Sequence, residues 1–252
     1  MLVADPLFYA VAIPAVLLTG ISKGGFGSAL GGIGVPLMAL AISPVHAAAI
    51  LLPLLCFMDL VGLRLYFNKW DLANLKIMLP GAMAGIVAGT LTFGMLSENA
   101  IRLLIGCIAV LFTLSNWLGV VARQQAAGRS VWKGSFWGGV SGLTSFIAHA
   151  GGPPAMIYML PQQLDKVRYV ATISLFFTVV NAVKLVPYAF LGQLSMDNLA
   201  TSLVLAPLVP AGVRFGMWLQ EHINLVWFYR ITRTCLLATG LQLIYQGARH
   251  LI

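Results

Sequence analysis

The sequence predicts an all-α polytopic membrane protein built from two inverted repeats. Each repeat is a glycine-rich broken or re-entrant helical pair followed by three transmembrane helices. Three observations carry that prediction. The 252 residues are 60% hydrophobic and only 9% charged, with a mean hydropathy of +0.91. A soluble domain carries about 25% charged residues, so a water-facing surface cannot be built from this composition. Apolar stretches of about twenty residues, the length a helix needs to cross hydrocarbon, recur along the whole chain. The third observation is that the two halves repeat each other's punctuation.

In chain order, the opening "MLVADPLFYAVAIPAVLLTG" lacks the basic n-region and small-residue cleavage site of a secretory signal and reads as a retained first membrane segment. It begins a glycine-rich segment over 6–42. Plain spans follow over 46–66, 76–96 and 100–121. The polar linker "RQQAAGRSVWKG" then divides the chain, a second glycine-rich segment covers 133–160, and spans follow over 168–190, 198–219 and 225–248. The expected organisation is a first repeat over 1–122, a cytoplasmic linker over 123–133 and a second repeat over 134–252. "GIS" at 20–22 is echoed by "GVS" at 139–141, and "GVPLM" at 34–38 by "GPPAM" at 152–156. Pro80, Gly85 and Gly89 match Pro207, Gly212 and Gly216 at identical spacing, and Asp59 falls opposite Asn181. Repeats of this kind build transporters whose substrate sits at the repeat interface near the midplane.

Charge sets the expected topology. With both glycine-rich segments returning to their starting side and the N-terminus periplasmic, Arg64, Lys69, Lys76, Arg123, Arg129, Lys133, Lys166, Arg168, Arg214, Arg230 and Arg233 all lie at the inner side. Arg102, Lys184 and Arg249 lie outward, and Lys23 lies within a span. Eight plain crossings distribute the basic residues more evenly, so the positive-inside rule favours the inverted arrangement. Residues 28–42 would reach only about 22 Å as a helix, short of the ~30 Å hydrocarbon core, which agrees. The net charge of +8 is thereby explained by orientation in the lipid bilayer rather than by nucleic acid.

The stretch "GISKGGFGSALGGIGVPLMAL" concentrates the expected chemistry. A break at 22–27 or 31–34 would expose backbone N–H groups at a helix start, which bind anions. Glycine permits the close approach that such binding needs. Ser22, Lys23, Gly24, Gly25, Ser28, Gly32 and Gly34 are the candidates there for holding a small anionic substrate. The competing reading is close helix packing through small residues, with Lys23 snorkelling to an interface. In "GVSGLTSFIAHAGGPPAM" the candidates are Thr144, Ser145, His149, Gly151 and Gly152, ahead of a break forced by consecutive prolines. His149 either binds an anion or carries a coupling proton, or it simply bonds a neighbouring carbonyl. Ser174, Thr178, Asn181 and Lys184 share one helical face, which lines a pathway or bonds another helix. Asn181 and Lys184 complete the substrate-binding set. Asp59 is the carboxylate well inside a span, a second candidate for proton coupling or a structural ion pair near Arg64. Glu98 stands one turn before Arg102, the spacing of a local pair.

Cys56, Cys107 and Cys235 fall in apolar spans at unrelated spacing and match neither a metal site nor a disulfide framework. There is no GxxxxGK[ST], HExxH, paired CxxC or GxSxG, so no metal or cofactor is expected and the chain reads as a non-enzyme.

These motifs, with "LPGAMAGIVAGTL" between them, resemble the sulfite exporter TauE/SafE family, also called the toluene-sulfonate uptake permease family, over essentially the whole chain. The resemblance implies a bacterial inner-membrane carrier of small sulfur-containing anions such as sulfite, sulfoacetate, sulfonates or thiosulfate, driven by an ion gradient. One departure is that the second half carries Leu-Thr-Ser-Phe where the first has Gly24-Gly25-Phe26-Gly27. A passive anion channel and a non-transporting membrane subunit of a larger complex are the alternative readings. The oligomeric state is left open.

Overall fold

In the computed structural model every described element is helical; the description covers all residues except 1–5, 27–30, 94, 119–127, 223–224 and 250–252. The first half comprises α1 (Pro6–Phe26), a 3-10 turn (Gly31–Ile33), α2 (Gly34–Met38), α3 (Pro44–Leu65), α4 (Leu72–Phe93) and α5 (Glu98–Trp117). The second comprises α6 (Val131–Ala148), α7 (Gly152–Met159) with a 3-10 turn (Leu160–Gln162), α8 (Lys166–Phe190), α9 (Met196–Leu205), α10 (Leu208–His222) and α11 (Leu225–Arg249). Local sequence sets several starts. Ser43, Ser130, Asp165 and Ser195 cap α3, α6, α8 and α9, each accepting the N–H three residues on.

Among the described residues, four helices are long and apolar enough to cross a membrane: Pro6–Gly25, Pro44–Arg64, Leu72–Phe93 and Val167–Phe190. A bent pair, Met196–Leu205 with Leu208–Leu219, makes a fifth candidate. Their outer faces are apolar and exposed, as Leu60 on α3, Val87 and Leu91 on α4, and Val186 and Phe190 on α8 show. That is the surface lipid requires.

Two expectations about helix breaks are corrected. Residues 22–25 do not form a break, because α1 runs unbroken through them to Phe26. A 3-10 turn over Gly31–Ile33 precedes α2, so the expected position 31–34 is irregular, while Gly27 of the other lies outside the described residues. The intrinsic cost of glycine in a helix, about 1 kcal/mol each, is offset by tertiary packing. At Gly24 a Cβ would overlap the Val213 carbonyl of α10. The expected plain span over 198–219 is instead split into α9 and α10, bent by 46°. Pro207 and Pro210 remove two intrahelical donors within one turn there. Pro80, the counterpart of Pro207, stands alone, and α4 passes it without a break.

Small residues also fix the polarity of the helix pairs. Along α4 and α6 the contacts advance together, Gly81 against Ser135, Gly85 against Gly139 and Gly89 against Phe146, so the two run parallel. Likewise α1 and α10 run parallel, with Leu17 at Gly212 and Ile21 at Gly216. The contacts of α5 and α11 advance oppositely, Leu103 at Gly247 and Ala109 at Gly240, so these helices are antiparallel. So are α3 and α8, where Gly62 meets Ser174 and Asp59 meets Asn181. The core gathers around α3 and α8, with Ile50, Leu51, Leu52, Leu54, Met58, Phe176 and Val180 almost wholly buried.

Candidate functional site

Two buried lysines define the polar centre of the bundle. Lys23 sits near the end of α1, its side chain 8% exposed, and forms an ion pair with Asp59 of α3, 3% exposed. It therefore does not snorkel, and the partner of Asp59 is Lys23 rather than Arg64. The second carboxylate oxygen of Asp59 accepts from Asn181 Nδ2 of α8 at 2.7 Å. Asp59 and Asn181 lie equally far along α3 and α8, so the positions that match between the halves touch each other. Tyr66, at the end of α3, donates its hydroxyl to the Gly24 carbonyl at 3.4 Å and ties the ends of α1 and α3 together.

Lys184 of α8 is 0% exposed. Its Nζ lies 2.8 Å from the Ser145 carbonyl, 3.0 Å from Ser145 Oγ and 2.7 Å from His149 Nδ1. An ammonium has three N–H donors, and three acceptors surround this one. None of them is a carboxylate, and among the described residues Lys184 has no acidic partner. His149 ends α6 in the left-handed conformation, φ 52, with its N–H on the Ser145 carbonyl and the next N–H on the Thr144 carbonyl. That conformation is uncommon outside glycine and asparagine, and here it directs a buried ring inward. His149 Nε2 lies 2.9 Å from the Ala48 carbonyl, and the ring stacks on Tyr188 at 6.2 Å.

Between these two clusters lies a small cavity lined by Lys23, Leu55, Ser145, His149, Gly152, Phe177 and Asn181. The expected candidates are thus partly gathered. Lys23, Ser145, His149, Gly152 and Asn181 face it, with Lys184 and Asp59 directly behind. Ser22, Gly24 and Gly25 are buried within α1. Gly34 packs tightly, a Cβ there meeting Leu51 at 2.6 Å and Thr19 Oγ1 at 2.8 Å. Gly32 lies against Ala150, where the two irregular segments meet. Thr144 returns its hydroxyl to the Val140 carbonyl at 2.8 Å. Gly151 accepts from Ser141 Oγ at 2.7 Å. Ser28 lies outside the described residues.

At the start of α7, Pro153 and Pro154 carry no N–H, which removes two of the donors a helix start would otherwise offer. Charge in the second half therefore comes from side chains. Tyr188, missed from sequence, continues the Ser174, Thr178, Asn181 and Lys184 stripe by one further turn, and that spacing was the available signal. Thr178 bonds back to the Ser174 carbonyl at 2.8 Å, and Ser174 meets Gly62, so the stripe faces protein rather than lipid.

Away from the cavity, the loop before α4 holds a second polar network that sequence reading did not single out. Asp71, 1% exposed, caps α4 through the Asn74 N–H and accepts from Arg129 Nη2 at 2.6 Å, with Arg168 at 3.6 Å. Burial pushes its carboxyl up, but the Asn74 N–H and the Arg129 guanidinium outweigh that and hold it below the usual carboxylate value. Asn74 extends the network to Gln162 and Tyr158 at 2.9 and 3.0 Å. Arg102 donates to the Ala39 carbonyl at 3.1 Å and to Gln246 at 3.0 Å, linking α5 to α2 and α11; the Glu98 side chain is not among those described. Arg214 is exposed midway along α10.

No curated protein and no solved structure matches the chain. A family model described as "Sulfite exporter TauE/SafE" matches residues 12–243, which takes in both glycine-rich segments, both lysines and the cavity between them. The chain belongs to the sulfite exporter TauE/SafE family, and with it to the membrane transporters of sulfite-type anions.

Proposed function

We propose that the protein is a secondary transporter that carries a small sulfur-containing anion of sulfite, sulfoacetate, sulfonate or thiosulfate type across the bacterial inner membrane by alternating access, coupled to an ion gradient. The observation that carries this reading is Lys184, wholly buried beside the cavity and, among the described residues, without a carboxylate partner. A charge held in hydrocarbon costs about 2.5 kcal/mol or more, so it persists where it serves a ligand or pathway. Lys23, Ser145, Asn181 and the Gly152 backbone supply the remaining donors around the anion.

Helix polarity supports the inverted repeats over 1–122 and 134–252. Exchanging the halves turns the α4–α6 pair into the α10–α1 pair, and both are parallel. It returns α3–α8 and α5–α11 to themselves, and both are antiparallel. Helices joined by short loops alternate in direction, so each helix of one half then points opposite to its counterpart. The short α2 lets the first glycine-rich segment return to its starting side. The contact between the matched residues Asp59 and Asn181 supports a two-fold axis passing there and, with it, a cavity near the midplane. With the N-terminus periplasmic, the linker over 123–133 and the Asp71 network stand on the cytoplasmic side, where the excess of Lys and Arg belongs.

The test is uptake into proteoliposomes of sulfite, sulfoacetate, taurine, thiosulfate and sulfate, with and without an imposed proton gradient. Accumulation of one of these against its own gradient supports a coupled carrier. Flux that only follows the substrate gradient identifies a channel, and no flux of any of them removes the transport reading.

A further inference from the structure

The groups around the cavity permit a charge count that deepens the anion reading and rests on it. Among the described residues, the titratable or charged groups at or directly behind the cavity are Lys23 on α1, Asp59 and Cys56 on α3, His149 at the end of α6, and Lys184 and Tyr188 on α8. Lys23 and Asp59 form an ion pair and cancel. The Cys56 thiol and the Tyr188 phenol are neutral, the phenol donating to the Phe146 carbonyl at 2.7 Å.

His149 and Lys184 are counted together. The Ala48 carbonyl only accepts, so His149 Nε2, 2.9 Å away, carries a proton. His149 Nδ1 lies 2.7 Å from Lys184 Nζ, and one proton bridges two nitrogens at that separation. A neutral ring accepting from an ammonium satisfies every donor in the cluster. An imidazolium facing an ammonium would place two cations in contact in a buried site with no carboxylate between them. With the Ser145 carbonyl also 3.1 Å from His149 Nδ1, these contacts allow the pair at most one positive charge, and so the cavity as a whole holds at most one.

We propose that the site accepts one net negative charge per turnover: a monoanion binds without a proton, and a dianion binds only together with one proton. The charge of the substrate thus sets the proton stoichiometry. For a dianion the receiving group is Asp59, which on protonation keeps its Asn181 contact and releases Lys23 to face the ligand. A monoanionic sulfonate leaves Asp59 ionised.

The experiment is isothermal titration of the full-length detergent-solubilised protein near neutral pH, in two buffers of different ionisation enthalpy, which counts the protons linked to binding. Methanesulfonate is the monoanion and sulfate the dianion. The expected result is no linked proton for methanesulfonate, and for sulfate either one proton taken up or no binding. Sulfate binding within tenfold of methanesulfonate and without proton uptake overturns the charge count while leaving the anion site standing. Proton uptake with methanesulfonate overturns it equally. Failure of both anions to bind instead overturns the anion site itself, so the two failures are distinguishable.

Discussion

Lys23 and Lys184 are both lysines buried among apolar helices, but only Lys23 faces a carboxylate. Lys23 belongs to α1, a helix locked along α10 by glycine contacts, and its charge is cancelled by Asp59. Lys184 belongs to α8 and is held by a carbonyl, a hydroxyl and an imidazole, which satisfy its donors and leave its charge uncancelled. The difference teaches how to separate architecture from ligand chemistry in an apolar protein. A charge that meets its opposite is closed within the fold, whereas a charge that meets only neutral acceptors still attracts an anion.

Removing Lys184 should have the largest effect. Lys184→Met takes away the uncancelled charge and should weaken anion binding at least ~30-fold, about 2 kcal/mol or more. Anion-dependent thermal stabilisation measures this, and comparable binding by the variant would erase the distinction between the two lysines. Lys23→Met should act on stability instead. It leaves Asp59 buried and unpaired, a cost of about 3–5 kcal/mol. Lys23→Met with Asp59→Asn should recover most of that loss in Tm, since removing both charges costs far less than stranding one.

Two glycines sharpen the comparison further. A Cβ at Gly151 meets the Ser141 carbonyl at 2.6 Å and the Phe177 ring at 2.8 Å, beside His149 and the cavity. At Gly24 it overlaps the α10 backbone, beside Lys23. Overpacking of this kind costs about 1–3 kcal/mol. Gly24→Ala should register first in Tm and expression yield, Gly151→Ala first in anion affinity.

The smallest effect is expected at Asp71, an ion pair at the membrane edge whose arginine partners are half-exposed. Asp71→Asn retains the cap of α4 and should cost about 1 kcal/mol or less at neutral pH. Because the folded-state carboxyl is held below its usual value, its contribution is present above the ordinary carboxylate range. It is lost as pH falls through the lowered value. The melting temperatures of wild type and variant should therefore converge in acid, and a gap that persists there would assign the effect to packing.

Much of this was legible in the sequence because hydrocarbon constrains composition so tightly. Apolar runs placed α3, α4, α5, α8 and α11 to within a few residues, and the paired prolines at 153 and 154 marked the break after α6. The sequence matched Asp59 with Asn181 as corresponding positions of the two halves, and the two side chains are in contact. Other features were hidden because they depend on how helices cross. The glycines of α1 read locally as a break, yet they admit the backbone of α10, and nothing within 6–42 announces that partner. Pro80 and Pro207 are alike in sequence, and the second proline at 210 decides which span bends. The pairing of Lys23 with Asp59 and the isolation of Lys184 follow from tertiary packing alone.

The central claim is that Lys184 supplies the uncancelled charge. Its most direct test is methanesulfonate-dependent thermal stabilisation of three proteins side by side: wild type, Lys184→Met, and Lys23→Met with Asp59→Asn. The anion should stabilise the wild type, stabilise the double variant to a reduced but measurable extent, and leave Lys184→Met unmoved. Stabilisation of Lys184→Met equal to that of the wild type would contradict the claim.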